Sequence, residues 1–275
     1  MNNELQTTSK KQRFGEVFRK IALVTLLAAV VVLEIWYRTQ SSPSELLTEM
    51  YSSASRFLGA LVALVFMVEF SLSSVLHPLG NKSLKKLVFV IPALVIAVNN
   101  FPWVSFLAGD CTLDADIGEI VFYAFICLCV GLFEELAFRG CALMLLLKKR
   151  TATKLSIFMA IFWSSVLFGA VHLVNVFVSS PGAVLLQIGY SALIGGLCCL
   201  VLLETSNIWL CVFIHALYNF AGGVVPRLGA GIIWTGPEIA LTAILGVLGA
   251  AYSVYRFFFT LPLDSAEKLF KRKGK

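Results

Sequence analysis

The sequence predicts an all-α fold, a polytopic bundle of about eight transmembrane helices with both termini in the cytoplasm. Of its 275 residues, 59% are hydrophobic and 14% are charged, whereas a soluble globular domain carries about 25% charged residues. Apolar segments long enough to cross a ~30 Å hydrocarbon core recur along the chain. Basic residues collect in the connections on one side of these segments, which is the signature of cytoplasmic loops.

The domain organisation predicted from this pattern is a single membrane domain with basic flanks. Residues 1–20 form a cytoplasmic basic lead, residues 21–260 a single transmembrane helical domain, and residues 261–275 a basic cytoplasmic tail. The chain is therefore predicted to be a multi-pass integral membrane protein that lies in the lipid bilayer, in the plasma membrane if it is bacterial.

The predicted spans are the apolar runs between polar connections. They cover approximately residues 21–37, 57–76, 87–107, 117–147, 155–178, 183–203, 207–222 and 239–259. The third contains Pro92 and Pro102, which we expect to kink it or to end it early. The fourth, at ~1.5 Å per residue, is much longer than the membrane requires, so it either tilts steeply or breaks near Gly140.

The distribution of charge supports this topology. Of the 22 Lys and Arg residues, the scheme places only Arg38, Arg56 and Arg227 on the side opposite the N-terminus, and Arg139 inside the fourth span. The net charge of +6 does not indicate nucleic-acid binding, because the basic residues flank apolar runs instead of forming a continuous track. We therefore expect no nucleic-acid partner.

The seven cysteines do not indicate a disulfide framework or a zinc site. All but Cys111 lie inside apolar segments, and the closely spaced pairs lack the CxxC spacing of zinc ligands. We interpret them as small apolar residues of the helix bundle.

Ionisable residues within the spans are the strongest functional signal. Glu134, Glu135 and Arg139 lie in the otherwise apolar fourth span, where each such group costs on the order of 2.5–3.5 kcal/mol unless it finds a partner or a polar cavity. Glu135 and Arg139 are one helical turn apart and can pair. Glu134 points about 100° away from Glu135 and is then free to line a cavity.

Two of the three histidines also lie within predicted spans. His172 follows Phe168 by four residues in the fifth span, and His215 precedes Asn219 by four residues in the seventh. Either histidine alone is consistent with a simple hydrogen bond between helices. Glu, His, His and Asn side chains on three spans together indicate one polar site, because each needs a partner in lipid.

These residues form three ordered motifs on the fourth, fifth and seventh spans: EExxxR at Glu134, Glu135 and Arg139, FxxxH at Phe168 and His172, and HxxxN at His215 and Asn219. The set resembles the signature motifs of the CPBP intramembrane proteases, the CAAX-protease and bacteriocin-processing family, which includes the type II CAAX prenyl endopeptidases. The resemblance covers the motif core, residues 119–222.

The resemblance implies an enzyme that hydrolyses a peptide bond with a water activated inside the membrane. Glu134 and His172 would activate the water, and His215 and Asn219 would donate hydrogen bonds to the oxyanion. Glu135, Arg139 and Phe168 would support the site. The implied partner is a peptide or membrane-protein substrate, such as a prenylated CAAX tail or a leader peptide.

Two alternatives remain open on the sequence. Glu134, His172 and His215 could instead hold Zn²⁺ with one open position, as in a metalloprotease. The metal-free mechanism is favoured, and no cofactor is assigned, because the Asn219 amide suits an oxyanion donor better than a zinc ligand. A non-catalytic membrane protein, either a transporter or a bacteriocin-immunity factor, would also place such groups at midplane, although the sequence contains no inverted repeat.

Overall fold

The computed structural model describes residues 2–39, 44–77, 84–148, 153–177 and 180–270, and it confirms the all-α class. The α-helices are α1 (Asn2–Thr39), α2 (Glu45–Glu69), α3 (Ile91–Asn99), α4 (Trp103–Ala108), α5 (Ile117–Glu135), α6 (Met144–Lys148), α7 (Lys154–Val171), α8 (Pro181–Thr205), α9 (Ile208–Leu228), α10 (Gly236–Tyr255) and α11 (Ser265–Lys268). Two short antiparallel strands, β1 (Cys111–Leu113) and β2 (Gly229–Gly231), join the segment before α5 to the end of α9.

Six helical segments of the described chain are long and apolar enough to cross a membrane. They are Leu46–Glu69, Ile117–Lys148, Lys154–Val171, Val184–Thr205, Ile208–Leu228 and Gly236–Thr260. The first predicted span lies within α1, and the third falls on the shorter apolar helix Lys86–Asn99. The multi-pass architecture is confirmed, and the count of eight spans stays a prediction.

The second span begins and ends earlier in the chain than the sequence predicts. The predicted range is residues 57–76, but α2 begins at Glu45 and ends at Glu69. The Ser44 side chain caps this helix by accepting a hydrogen bond from the Leu47 backbone N–H at 3.4 Å, so the polar Ser- and Glu-rich stretch is helix and not loop. Arg56 therefore lies within α2 and not in the connection predicted for it.

The third span is interrupted, as the two prolines predict. A 3₁₀ segment (Leu84–Val90) leads into α3, and Pro92 occupies the first turn of α3, where its missing N–H is tolerated. Pro102 lies immediately before the short helix α4. Two short helices therefore replace one continuous span.

The fourth span is continuous from Ile117 to Lys148 and does not break at Gly140. It begins at a capping box formed by Asp116 and Glu119, and a π-helical segment (Leu136–Leu143) joins α5 to α6. A π-helical segment shifts the register of the side chains that follow it and is frequent at functional sites. Glu134 and Glu135 lie immediately before this segment, and Arg139 lies inside it.

The buried carboxylate of Glu238, in α10, binds the start of α4, the short helix that precedes β1. The Oε2 atom of Glu238, which is 1% exposed, accepts hydrogen bonds from the backbone N–H groups of Val104 at 2.7 Å and Ser105 at 3.2 Å. Both groups belong to the first turn of α4, which has no partners for them within its own helix.

Substituting Glu238 by Ala is expected to lower the free energy of unfolding by about 2–3 kcal/mol, because buried donors lose a charged acceptor. Chemical denaturation in detergent, followed by circular dichroism, measures this loss. Asp264→Ala is the control, since Asp264 forms an exposed pair with Lys268 and contributes little. Equal stability of the two variants would contradict the role assigned to Glu238.

Candidate active site

The site forms where α5 crosses α9, the most extensive helix contact in the described structure. Gly131 makes the close approach possible, because a methyl group at that position would lie 2.9 Å from the Val212 carbonyl oxygen and 3.1 Å from the Ala216 nitrogen. A small residue at such a crossing lets two backbones pack tightly. Glu134 and Glu135, one turn farther along α5, are thereby brought against His215 of α9.

The imidazole of His215 lies between the two carboxylates. Its Nδ1 is 2.7 Å from Glu135 Oε1, and its Nε2 is 3.4 Å from Glu134 Oε2. Side chains of consecutive helical residues point about 100° apart. Glu134 and Glu135 nevertheless both reach His215, because they contact different nitrogens of its ring. Glu134 therefore contacts His215 as well as facing open space: its side chain is 17% exposed, whereas that of Glu135 is fully buried.

Glu135 also forms the predicted pair with Arg139. Arg139 Nη1 lies 2.9 Å from Glu135 Oε1, and the two side chains are 1% and 0% exposed. The same oxygen, Glu135 Oε1, therefore lies within reach of both the Arg139 guanidinium and His215 Nδ1. The pair is close but not aligned as a hydrogen bond, and within the described structure Glu135 Oε2 and the Arg139 nitrogens have no hydrogen-bond partner.

The ring of Phe168 connects the three motifs. It lies edge to face with His172 at 5.2 Å and with His215 at 5.6 Å between ring centroids. The Arg139 guanidinium carbon is 4.4 Å from the centroid of the same ring, within cation–π range. One aromatic side chain of α7 thus contacts a residue from each of the other two motifs.

His172 begins a 3₁₀ segment (His172–Phe177) directly after α7, so the α-helix of the fifth span ends at Val171. The Nδ1 of His172 is 2.9 Å from the Phe168 carbonyl oxygen and donates to it, which leaves Nε2 as the basic nitrogen. The side chain is half-buried. His172 therefore joins the site through its contacts with Phe168.

Asn219 lies one turn beyond His215 on α9. Its backbone carbonyl accepts a hydrogen bond from the Tyr123 hydroxyl of α5 at 3.4 Å. Tyr123 thus ties α9 to α5 one turn beyond His215.

The alternative zinc set is not assembled in this geometry. Within the described residues, the ligand atoms of Glu134, His172 and His215 do not all lie within 4.8 Å of one another, although Glu134 and His215 are in contact; those of Glu135, Cys198 and Cys211 do.

Gly195 of α8 lies against the site, although none of the three sequence motifs contains it. A methyl group there would lie 2.5 Å from Arg139 Nη2 and 3.3 Å from Phe168 Cδ1. The missing side chain makes room for the guanidinium. Nothing in the spacing of small residues along α8 could identify its partner.

Gly195→Ala is expected to displace Arg139 and to lower the free energy of unfolding by about 1–3 kcal/mol, as overpacking does. Gly196→Ala is the matched control, because nothing lies within 4 Å of the added methyl group and helix propensity favours Ala over Gly. Thermal unfolding in detergent compares the two. A Gly195→Ala protein as stable as Gly196→Ala would contradict the tight contact.

Comparison with known proteins gives the same assignment as the motifs. Residues 116–221 match the family model described as "Type II CAAX prenyl endopeptidase Rce1-like". The matched segment begins at the Asp116 cap of α5, ends in α9 and contains all seven motif residues. Neither the curated proteins nor the solved structures gave a match. Residues 116–221 of this chain are thus similar to the Rce1-like type II CAAX prenyl endopeptidases.

Proposed function

We propose that the protein is an intramembrane endopeptidase that hydrolyses a peptide bond with a water activated by Glu134 and His172. The observation that carries this proposal is the arrangement around His215, whose ring lies between two carboxylates and against Phe168, which also contacts His172. The family match over the same helices supports a CAAX-protease-type activity.

Burial distinguishes the two carboxylates. Glu134, at 17% side-chain exposure, can meet a water, whereas Glu135 is fully buried and already engaged by Arg139 and His215. A general base must lie within hydrogen-bond reach of the water it deprotonates. Glu134 is therefore the proposed base, and Glu135 is the group that orients His215.

The two imidazoles have different proposed roles because their Nδ1 atoms have different partners. His172 Nδ1 donates to a backbone carbonyl, so its Nε2 lone pair is available to hold the water. His215 Nδ1 is tied to Glu135, and in the protonated ring Nε2 also donates. His215 Nε2 and the Asn219 amide are the proposed donors to the oxyanion, where fixed donors in a dry site stabilise developing charge.

The proposed reaction needs no metal at the motif residues. An amide such as Asn219 is a poor zinc ligand, and it is a natural donor to an oxyanion. The proposed substrate is a peptide or membrane-protein segment, with a prenylated CAAX tail as the leading choice because of the family match.

The test uses the full chain in lipid nanodiscs with a prenylated CAAX peptide and its non-prenylated counterpart, and mass spectrometry of the products. We expect cleavage of the prenylated peptide, loss of cleavage in His172→Ala, and normal cleavage in His77→Ala, which changes the histidine outside the motifs. Full activity of His172→Ala would overturn the proposed catalytic role. Failure of the intact protein to cleave either peptide would overturn the CAAX substrate.

A further inference from the structure

A second cluster of ligating groups includes Glu135 and two cysteines that belong to none of the three motifs. One carboxylate oxygen of Glu135 and the sulfur atoms of Cys198 and Cys211 all lie within 4.8 Å of one another. All three residues are fully buried, and they come from α5, α8 and α9. We propose that Glu135, Cys198 and Cys211 bind a divalent thiophilic metal ion, of which Zn²⁺ is the expected example.

The unpartnered oxygen of Glu135 supports this site. Oε1 is engaged by His215 and Arg139, while Oε2 is buried and lacks a hydrogen-bond partner within the described residues. A buried carboxylate oxygen without a donor is costly, and a bound cation removes that cost. The same carboxylate would then join the metal on one side to the His215 imidazole on the other.

The two thiols face each other across the contact between α8 and α9. The Cys211 sulfur lies 3.2 Å from the Cys198 carbonyl oxygen, and the Cys198 sulfur lies 3.9 Å from the Cys211 carbonyl oxygen. Such S–H contacts are weak, so exchanging them for metal–sulfur bonds loses little. Ligand atoms within 4.8 Å of one another can approach one shared ion, to which a Zn–S bond is ~2.3 Å long.

Charge balance favours a divalent ion. Binding converts two neutral thiols into thiolates and releases two protons to water, as metal binding by cysteine requires. Two thiolates, the Glu135 carboxylate, the Arg139 guanidinium and Zn²⁺ then sum to zero. Arg139 is already beside Glu135. Neutrality matters here, because an uncompensated charge among membrane helices is costly.

This metal would tie α5, α8 and α9 together and fix the carboxylate that orients His215. It would not activate the reacting water, which is the proposed role of Glu134 and His172. The site is therefore distinct from the zinc alternative on Glu134, His172 and His215, and it does not depend on the proposed peptidase activity.

The experiment measures metal in the purified full chain after incubation with Zn²⁺ and removal of excess ion. We expect one zinc per chain in the intact protein and in His172→Ala, and loss of zinc in Cys198→Ala and Cys211→Ala. Cys141→Ala is the matched control, since Cys141 is buried but belongs to no such cluster within the described residues, and it should retain zinc. Titration with Cd²⁺ should give thiolate-to-metal charge-transfer absorption only when both cysteines are present.

Several results would overturn the site. These are no stoichiometric zinc in the intact protein, zinc retained in folded Cys198→Ala, zinc lost in His172→Ala, or a Cys198–Cys211 disulfide in intact mass spectra. Folding of each variant is checked by size exclusion and by thermal unfolding. Zinc should raise the unfolding temperature of the intact protein and of Cys141→Ala but not that of Cys198→Ala, which separates metal binding from a general folding defect.

Discussion

Glu134→Gln is expected to lower the rate of peptide cleavage by about 10²–10⁴-fold, the usual contribution of a general base. Gln has the same shape and keeps a polar contact with Nε2 of His215, but it cannot take a proton from water. The bundle should remain folded, because the Glu134 side chain is partly exposed and the buried Glu135–Arg139 pair is untouched.

Initial rates on the prenylated peptide measure this effect, with product mass spectra to confirm the cleavage position. Glu69→Gln is the matched control, since Glu69 ends α2 and pairs with Arg19 away from the site. We expect the control to cleave at the normal rate. Glu134→Gln cleaving as fast as Glu69→Gln would rule out Glu134 as the base.

Arg139→Ala is expected to lower the free energy of unfolding by about 3–5 kcal/mol, because it leaves Glu135 as an uncompensated buried charge. The two side chains are 1% and 0% exposed, so solvent cannot replace the lost partner. The substitution also removes the guanidinium from the face of Phe168, which loosens the ring that both site histidines contact.

Denaturation of Arg139→Ala, of Glu135→Gln and of the double variant Glu135→Gln/Arg139→Ala measures this coupling. The double variant should recover much of the lost stability, because replacing both charges removes the unpaired ion. Arg19→Ala is the control for an exposed pair, with an expected loss of ~0–1 kcal/mol. Losses in the two single variants that simply add in the double variant would argue against a coupled pair.

The polar residues around His215 could be predicted from the sequence to share one region because each lies at a position that should be apolar. In lipid such residues stand out individually, and their order in three motifs resembles that of a known protease family. Helical periodicity also predicted the pairing of Glu135 with Arg139 and the contact of Phe168 with His172. These contacts are local, so sequence spacing determines them.

The contacts between helices could not be predicted in this way. Periodicity gives the direction of Glu134 and Glu135 on α5 but says nothing of which residue α9 presents, so their shared contact with His215 required the structure. Gly195 illustrates the same limit, since its role depends on Arg139 of another helix.

Helix ends and irregular turns were the other features that sequence reasoning missed. The polar start of α2 resembles a loop, but the Ser44 cap allows the helix to begin there. The π-helical segment at Leu136–Leu143 carries no sequence signal, and it keeps the chain helical at Gly140, where a break was one of the two expectations. In both cases local hydrogen bonding and tertiary packing decide the backbone, which hydropathy does not describe.

The central claim is that Glu134 and His172, from different helices, act on one water. The most direct test compares cleavage rates of Glu134→Gln, His172→Ala and the double variant. Groups that act as one unit give a double variant about as slow as the slower single variant. The account predicts that result. Rate losses that multiply in the double variant would show that the two residues act independently and would contradict it.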